Sequence, residues 1–151
     1  MKIIGWDIGG AHIKASFFDF KKSKIKTRQI FFPIWRNYKK FIKTIALLEK
    51  KFPKCDYHAV TTTAEMSDIF KNRKTGVKKI INLFTQSVSQ KKIFFYGKKK
   101  FLRKKIALKK THLIASMNWH ASANFISKIF SDCILLDIGS TTTDIIPIKN
   151  K

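Results

Sequence analysis

An acidic turn occurs twice in this chain, as Gly5-Trp6-Asp7-Ile8-Gly9-Gly10 near one end and as Leu136-Asp137-Ile138-Gly139-Ser140-Thr141 near the other. Each copy follows an apolar run, Ile3-Ile4 or Ile134-Leu135-Leu136, and precedes an alternating one, so each reads as a buried strand turning tightly into a second strand. Such a turn suits phosphate and magnesium. Glycine lets backbone N–H groups come close to an anion, and the carboxylate can hold, usually through water, the hard cation that offsets the anion's charge. Asp7 and Asp137 are therefore candidate Mg2+ ligands; the plainer alternative is an Asx-type turn cap. A carboxylate at the end of a buried strand is costly unless a cation or hydrogen bonds compensate it. Recurrence of the same Asp-Ile-Gly favours the metal role.

Seven residues after each aspartate stand Lys14 and Asp144. If the two hairpins are related by pseudo-symmetry, these residues face a ligand from opposite sides, Lys14 toward phosphate and Asp144 toward a metal or an attacking group. A solvated strand lysine is the competing reading of Lys14. Gly9, Gly10 and His12 belong to the first turn, and Gly139, Ser140, Thr141 and Thr142 to the second. The hydroxyls of Ser140, Thr141, Thr142 and Thr143 suit a phosphate or diphosphate, although the β-propensity of threonine accounts for Thr143 as well. Between the two turns, Thr62-Thr63-Ala64-Glu65 has capping-box spacing, in which the glutamate only satisfies a helix N-terminus. His58, His112 and His120 show no metal-ligand spacing.

Composition narrows the class. At 151 residues, 44% hydrophobic and 13% aromatic, the chain can bury a core and is too apolar for a disordered polymer despite a net charge of +23. Thirty-two Lys and Arg against nine Asp and Glu would ordinarily raise nucleic-acid binding. No nucleic-acid motif accompanies the charge, and the excess of Lys, Ile, Phe and Asn fits compositional drift. Five of the nine acids, Asp7, Glu65, Asp68, Asp137 and Asp144, lie in the motif segments. No run approaches the roughly 18 apolar residues of a spanning helix, so the expected setting is cytoplasmic with no membrane partner. Cys55 and Cys133 are isolated and read as reduced structural thiols.

The elements that must position these residues follow from periodicity. Strands are expected at 2–8, 11–20 and 26–32, an amphipathic helix at 36–52 ahead of Pro53, and a strand at 57–61. A helical region begins at 65–70 and resumes after Gly76 at 77–88. A strand follows at 93–96, then a basic loop from Gly97 through 98–105, a helix at 113–130, and a hairpin of 133–137 with 142–148. This order predicts a five-stranded mixed sheet with helices on its faces, ending near Phe130, followed by the opening hairpin of a second, related unit at 131–151.

These segments resemble the actin, hexokinase and Hsp70-type ATPase superfamily, whose two related domains each begin with an Asp-x-Gly phosphate hairpin. Within it the chain is similar to the hydantoinase/oxoprolinase-like family, and more narrowly to the group linked to tetrahydromethanopterin-dependent one-carbon transfer and methanofuran biosynthesis. The similarity rests on 5–14, Val60-Thr61-Thr62-Thr63-Ala64-Glu65-Met66-Ser67-Asp68, Ala115-Ser116-Met117-Asn118-Trp119 and 136–148. It implies a ribonuclease H-like, actin-type domain and transfer of a furan-methyl group from its diphosphate to a tyramine-derived acceptor. An ATP-dependent hydrolase or small-molecule kinase is the alternative enzyme. A remnant or a basic nucleic-acid-binding protein is the alternative outside enzymes. The implied cofactor is Mg2+ with a diphosphate-bearing substrate or ATP. The family also places Glu65 at the cleft as a possible general base, with Thr62, Thr63 and Asn118 toward substrate and Trp119 there or in the core. Members are longer, so the chain is expected to be truncated, either with a separate chain supplying the second domain or as an inactive remnant.

Overall fold

The computed structural model describes residues 1–89, 92–98, 100–139 and 142–149. Strands β1 (Lys2–Ile8), β2 (His12–Asp19) and β3 (Lys24–Phe31) form an antiparallel meander. Helices α1 (Ile34–Asn37) and α2 (Phe41–Glu49) follow, then β4 (Tyr57–Thr62), α3 (Arg73–Ser87), β5 (Ile93–Tyr96) and β6 (Phe101–Arg103). Helices α4 (Lys104–Lys109) and α5 (Asn118–Ile126) lead to β7 (Cys133–Ile138) and β8 (Thr143–Ile148). The first six strands make one mixed sheet in the order β3-β2-β1-β4-β5-β6, while β7 and β8 form a separate two-stranded sheet. In the larger sheet β1, β4 and β5 run parallel, and β2, β3 and β6 are antiparallel to their neighbours.

Strand alternation decides the faces. Ile4, Trp6 and Ile8 are buried beside Ile13, Ala15 and Val60, and this face carries the helical layer. Trp6 meets Phe84 of α3 edge-on, and Phe41 of α2 meets Phe32 likewise. Each fully buried side chain of this size contributes about 1.5–3 kcal/mol. A fully buried histidine sits within this core. Trp6 Nε1 donates to His58 Nδ1 at 2.9 Å, which leaves the ring proton on Nε2, 3.3 Å from a Glu49 carboxylate oxygen. These two partners engage both ring nitrogens of the buried histidine. Burial, with Glu49 and Asp56 nearby, pushes the Cys55 thiol up to about 11, as for a structural cysteine.

Several expectations need correction. The sheet has six strands: part of the anticipated basic loop is β6 and α4, with Arg103 paired opposite Phe94 at the sheet edge. The anticipated helix at 36–52 is divided, because Asn37 leaves helical dihedrals (φ −111°, ψ 11°) and a 3-10 turn, Tyr38–Lys40, intervenes before α2. Gly76 does not interrupt a helix. It lies inside α3, where an added Cβ would come within 2.8 Å of Glu65 Cβ, so glycine is there for close packing. The helix anticipated at 113–130 is a 3-10 turn, Thr111–Leu113, followed by the shorter α5.

Helix α5 covers part of the other sheet face, the one bearing Gly5, Asp7, Ala59 and Thr61, and also packs on the β7–β8 hairpin. Ile134, Leu136, Ile138 and Ile145 are exposed, and Ile148 is half-buried. Among the described residues no helix is long and apolar enough to cross a membrane.

Candidate functional site

Among the described residues, the two acidic turns share one strand register and one closing hydrogen bond. In the first hairpin Asp7 pairs opposite Lys14 and Ile8 opposite Ile13; in the second Asp137 pairs opposite Asp144 and Ile138 opposite Thr143. Gly9 N donates to His12 O at 2.9 Å, and Gly139 N donates to Thr142 O at 2.8 Å. Adding 130 to each residue number of the first turn reproduces the register and the closing bond of the second. The glycines are needed for closeness: a Cβ on Gly9 would lie 2.9 Å from His12 O, and one on Gly139 would lie 3.2 Å from Thr142 O.

These closing bonds change which amides can meet an anion. The N–H groups of Gly9 and Gly139 are spent on the hairpins, contrary to their expected role as phosphate donors. The Gly10 and Ala11 carbonyls accept from Ile34 N and Phe32 N, both at 2.8 Å. This leaves the Gly10 and Ala11 N–H groups without an acceptor among the described residues. Ala11 offers only a backbone donor, which side-chain reasoning misses. His12 stands at the start of β2 with its ring edge-on to Phe31. Ser140 and Thr141 lie outside the described residues; Thr142 is exposed beside them.

The side chains opposite each other differ. Lys14 Nζ is 3.3 Å from Asp7 Oδ2, with the lysine half exposed. Thr61 Oγ1 lies 3.2 Å from the Trp6 carbonyl. Asp137 and Asp144, in contrast, are like charges directly opposite, an arrangement that destabilises a hairpin unless a cation intervenes. Among the described residues no salt bridge reaches either one, and no group of three or more His, Cys, Asp or Glu could hold a metal. Two carboxylates with water and phosphate oxygens completing the shell nevertheless fit Mg2+, which keeps several waters and few protein ligands.

Asp7 and Lys14 line an open cavity of about 580 Å³ between the sheet and α5. Its far wall is Tyr96, Phe101, Ala121, Asn124 and Phe125, and among the described residues none of the second hairpin contributes. Asn124 Nδ2 donates to the Tyr96 hydroxyl at 3.2 Å, and that hydroxyl is hydrogen-bonded to His120 Nδ1 at 3.0 Å. From α5, Asn124 faces the cavity rather than the expected Asn118. Trp119 is exposed against His120, outside the core.

Glu65 and Thr62 are committed elsewhere. Glu65 is 2% exposed and accepts from Ser116 N at 2.6 Å, Ser116 Oγ at 3.0 Å and Thr62 Oγ1 at 3.0 Å. Thr62 Oγ1 in turn accepts from Ala64 N at 3.1 Å. No capping box forms, because the glutamate reaches a segment 51 residues away. There it holds Ser116, whose φ of 52° is in the left-handed region. Burial is the main influence raising the Glu65 pKa above 4.5. Both carboxylate oxygens are occupied, which argues against a general base and for an internal clamp. Thr63 stays beside the first turn: its N–H donates to Ile8 O, and its Oγ1 lies 3.9 Å from where a Gly9 Cβ would be.

A family profile described as Hydantoinase/oxoprolinase matches residues 56–151. The chain is also 38% identical over 150 residues to the (4-{4-[2-(gamma-L-glutamylamino)ethyl]phenoxymethyl}furan-2-yl)methanamine synthase of Methanocaldococcus jannaschii. That alignment covers 99% of this chain and 44% of the relative.

Proposed function

The chain belongs to the hydantoinase/oxoprolinase family, and from that premise we propose that it forms part of a transferase that joins a furan-methyl group to a phenol during synthesis of a methanofuran-type one-carbon carrier. The observation that carries this reading is the 38% identity, across nearly the whole chain, to a synthase whose named product is a phenoxymethyl-furan methanamine. We take residues 1–130 as an actin-type domain and 131–151 as the opening hairpin of a second such domain. The repeated register of the two acidic turns supports that division.

In the step proposed, the phenol oxygen of a tyramine-derived acceptor forms a bond to the furan-methyl carbon. The bond from that carbon to the diphosphate oxygen breaks, diphosphate leaves with the electron pair, and the phenol proton passes to a base. The Gly10 and Ala11 N–H groups and the Lys14 ammonium receive the leaving group where negative charge develops. Lys14 is half exposed, so it can turn from Asp7 to an arriving phosphate and release the Asp7 carboxylate. Asp7 and Asp137 would hold Mg2+, whose charge would offset that of the diphosphate, and Asp144 would face the metal or the attacking group. Thr63 flanks the same turn and contacts the substrate.

The test is to incubate the chain with a furan-methyl diphosphate, γ-glutamyltyramine and Mg2+, both alone and with a polypeptide matching the remainder of the relative. Mass spectrometry would follow the aryl ether and released diphosphate. Ether in either mixture supports the reading; diphosphate hydrolysis without ether, or no reaction in both, contradicts it.

A further inference from the structure

A second cavity, of about 630 Å³, shares no lining residue with the one containing Asp7. It is built where α1, the 3-10 turn after it, the 69–71 segment and the first half of α3 meet. Among the described residues eleven line it, of which five are basic, Arg36, Lys39, Lys40, Lys71 and Lys79, and none is acidic. Lysine and arginine together make up 32 of 151 residues in the chain, so the walls are about twice as basic as composition alone supplies. None of the five has a salt-bridge partner among the described residues. Gathering like charges around a concavity costs stability that a bound anion recovers.

The same walls carry rings. Trp35 is 47% exposed, and Tyr38 and Phe70 stand edge to face with centroids 5.8 Å apart. A solvated lysine face has no use for an indole left half open to water. Rings with cations around them are the combination that holds a flat group by stacking and its phosphates by charge. The volume matches one small molecule, for which pockets run about 300–1,000 Å³, rather than a track for a polymer.

We propose that this cavity binds a small phosphorylated ring compound, one that joins two or more phosphates to an aromatic or heteroaromatic ring, as a nucleotide does. The inference is independent of the transferase reading. The test is calorimetry on the full chain in EDTA, which keeps a magnesium-dependent site silent, with ATP as probe and tripolyphosphate and adenosine as its separated halves. ATP should bind at least about tenfold more tightly than either half, and Trp35→Ala or the Lys39→Gln/Lys79→Gln pair should each weaken it at least about tenfold. The Lys21→Gln/Lys22→Gln pair removes the same charge from the exposed β2–β3 turn and should leave affinity within about twofold. Thermal unfolding would verify that all variants remain folded. The proposal is overturned if ATP does not bind, if tripolyphosphate binds as tightly as ATP, or if the turn variant loses as much as the cavity variant. It is also overturned if a mixed single-stranded oligonucleotide displaces ATP with higher affinity.

Discussion

The β1–β2 and β7–β8 hairpins share one register and one closing hydrogen bond, yet they stand on different ground. Ile4, Trp6 and Ile8 are 0%, 3% and 0% exposed, whereas the residues 130 further on, Ile134, Leu136 and Ile138, are 69%, 56% and 75% exposed. Opposite them, Ala15 is buried and Ile145 is exposed. Turn geometry is therefore written locally, in a glycine that permits close approach and in strand alternation. Stability is written in the layer beneath. The chemistry diverges too, because one turn holds an Asp–Lys pair and the other an Asp–Asp pair.

The largest effect should come from breaking the layer under the first hairpin. Ile8→Ala should cost about 2–5 kcal/mol in urea unfolding, while Ile138→Ala at the matching place should stay within about 0.5 kcal/mol. Equal losses would mean that the second hairpin has a packed layer of its own.

Next comes the clamp beside the first turn. Glu65→Ala should cost about 1–3 kcal/mol by stranding the Ser116 and Thr62 donors, measured in the same way. Its folded pKa lies above 4.5, so the folded chain keeps a proton that the unfolded chain loses. The resulting stability is fully present below pH 4.5 and declines as pH rises through the folded pKa. Glu65→Gln should remove that slope, and thermal melts across pH would reveal a slope that persists.

Smaller effects compare the facing charges. Asp144→Lys converts the second hairpin to the Asp–Lys pattern of the first and should raise stability by up to about 1 kcal/mol. Lys14→Ala should cost less than about 1 kcal/mol, since the pair is partly exposed. Denaturation midpoints would separate both from no change.

What the sequence made legible was whatever short-range pattern encodes. Alternation over Ile4, Trp6 and Ile8 and the repeated Asp-Ile-Gly located the strands, both turns and the register-matched aspartates. The losses were long-range or backbone effects. The edge strand β6 was hidden in a lysine run because pairing with β5, rather than propensity, makes it a strand. Gly76 looked like a break because its reason, the approach of Glu65, lies in another element. Glu65 looked like a cap because its partner Ser116 is distant in sequence. The Gly10 and Ala11 amides were invisible because the bonds that occupy their carbonyls come from Phe32 and Ile34.

The central claim is that the second turn is a working copy of the first and supplies the cation side of a phosphate site. Calorimetric titration of diphosphate with Mg2+ tests it most directly on the unaltered chain, Asp137→Asn and Asp144→Lys. The account predicts magnesium-dependent binding that falls at least about tenfold in each variant while the melting temperature stays level or rises for Asp144→Lys. Unchanged affinity in both variants would contradict it.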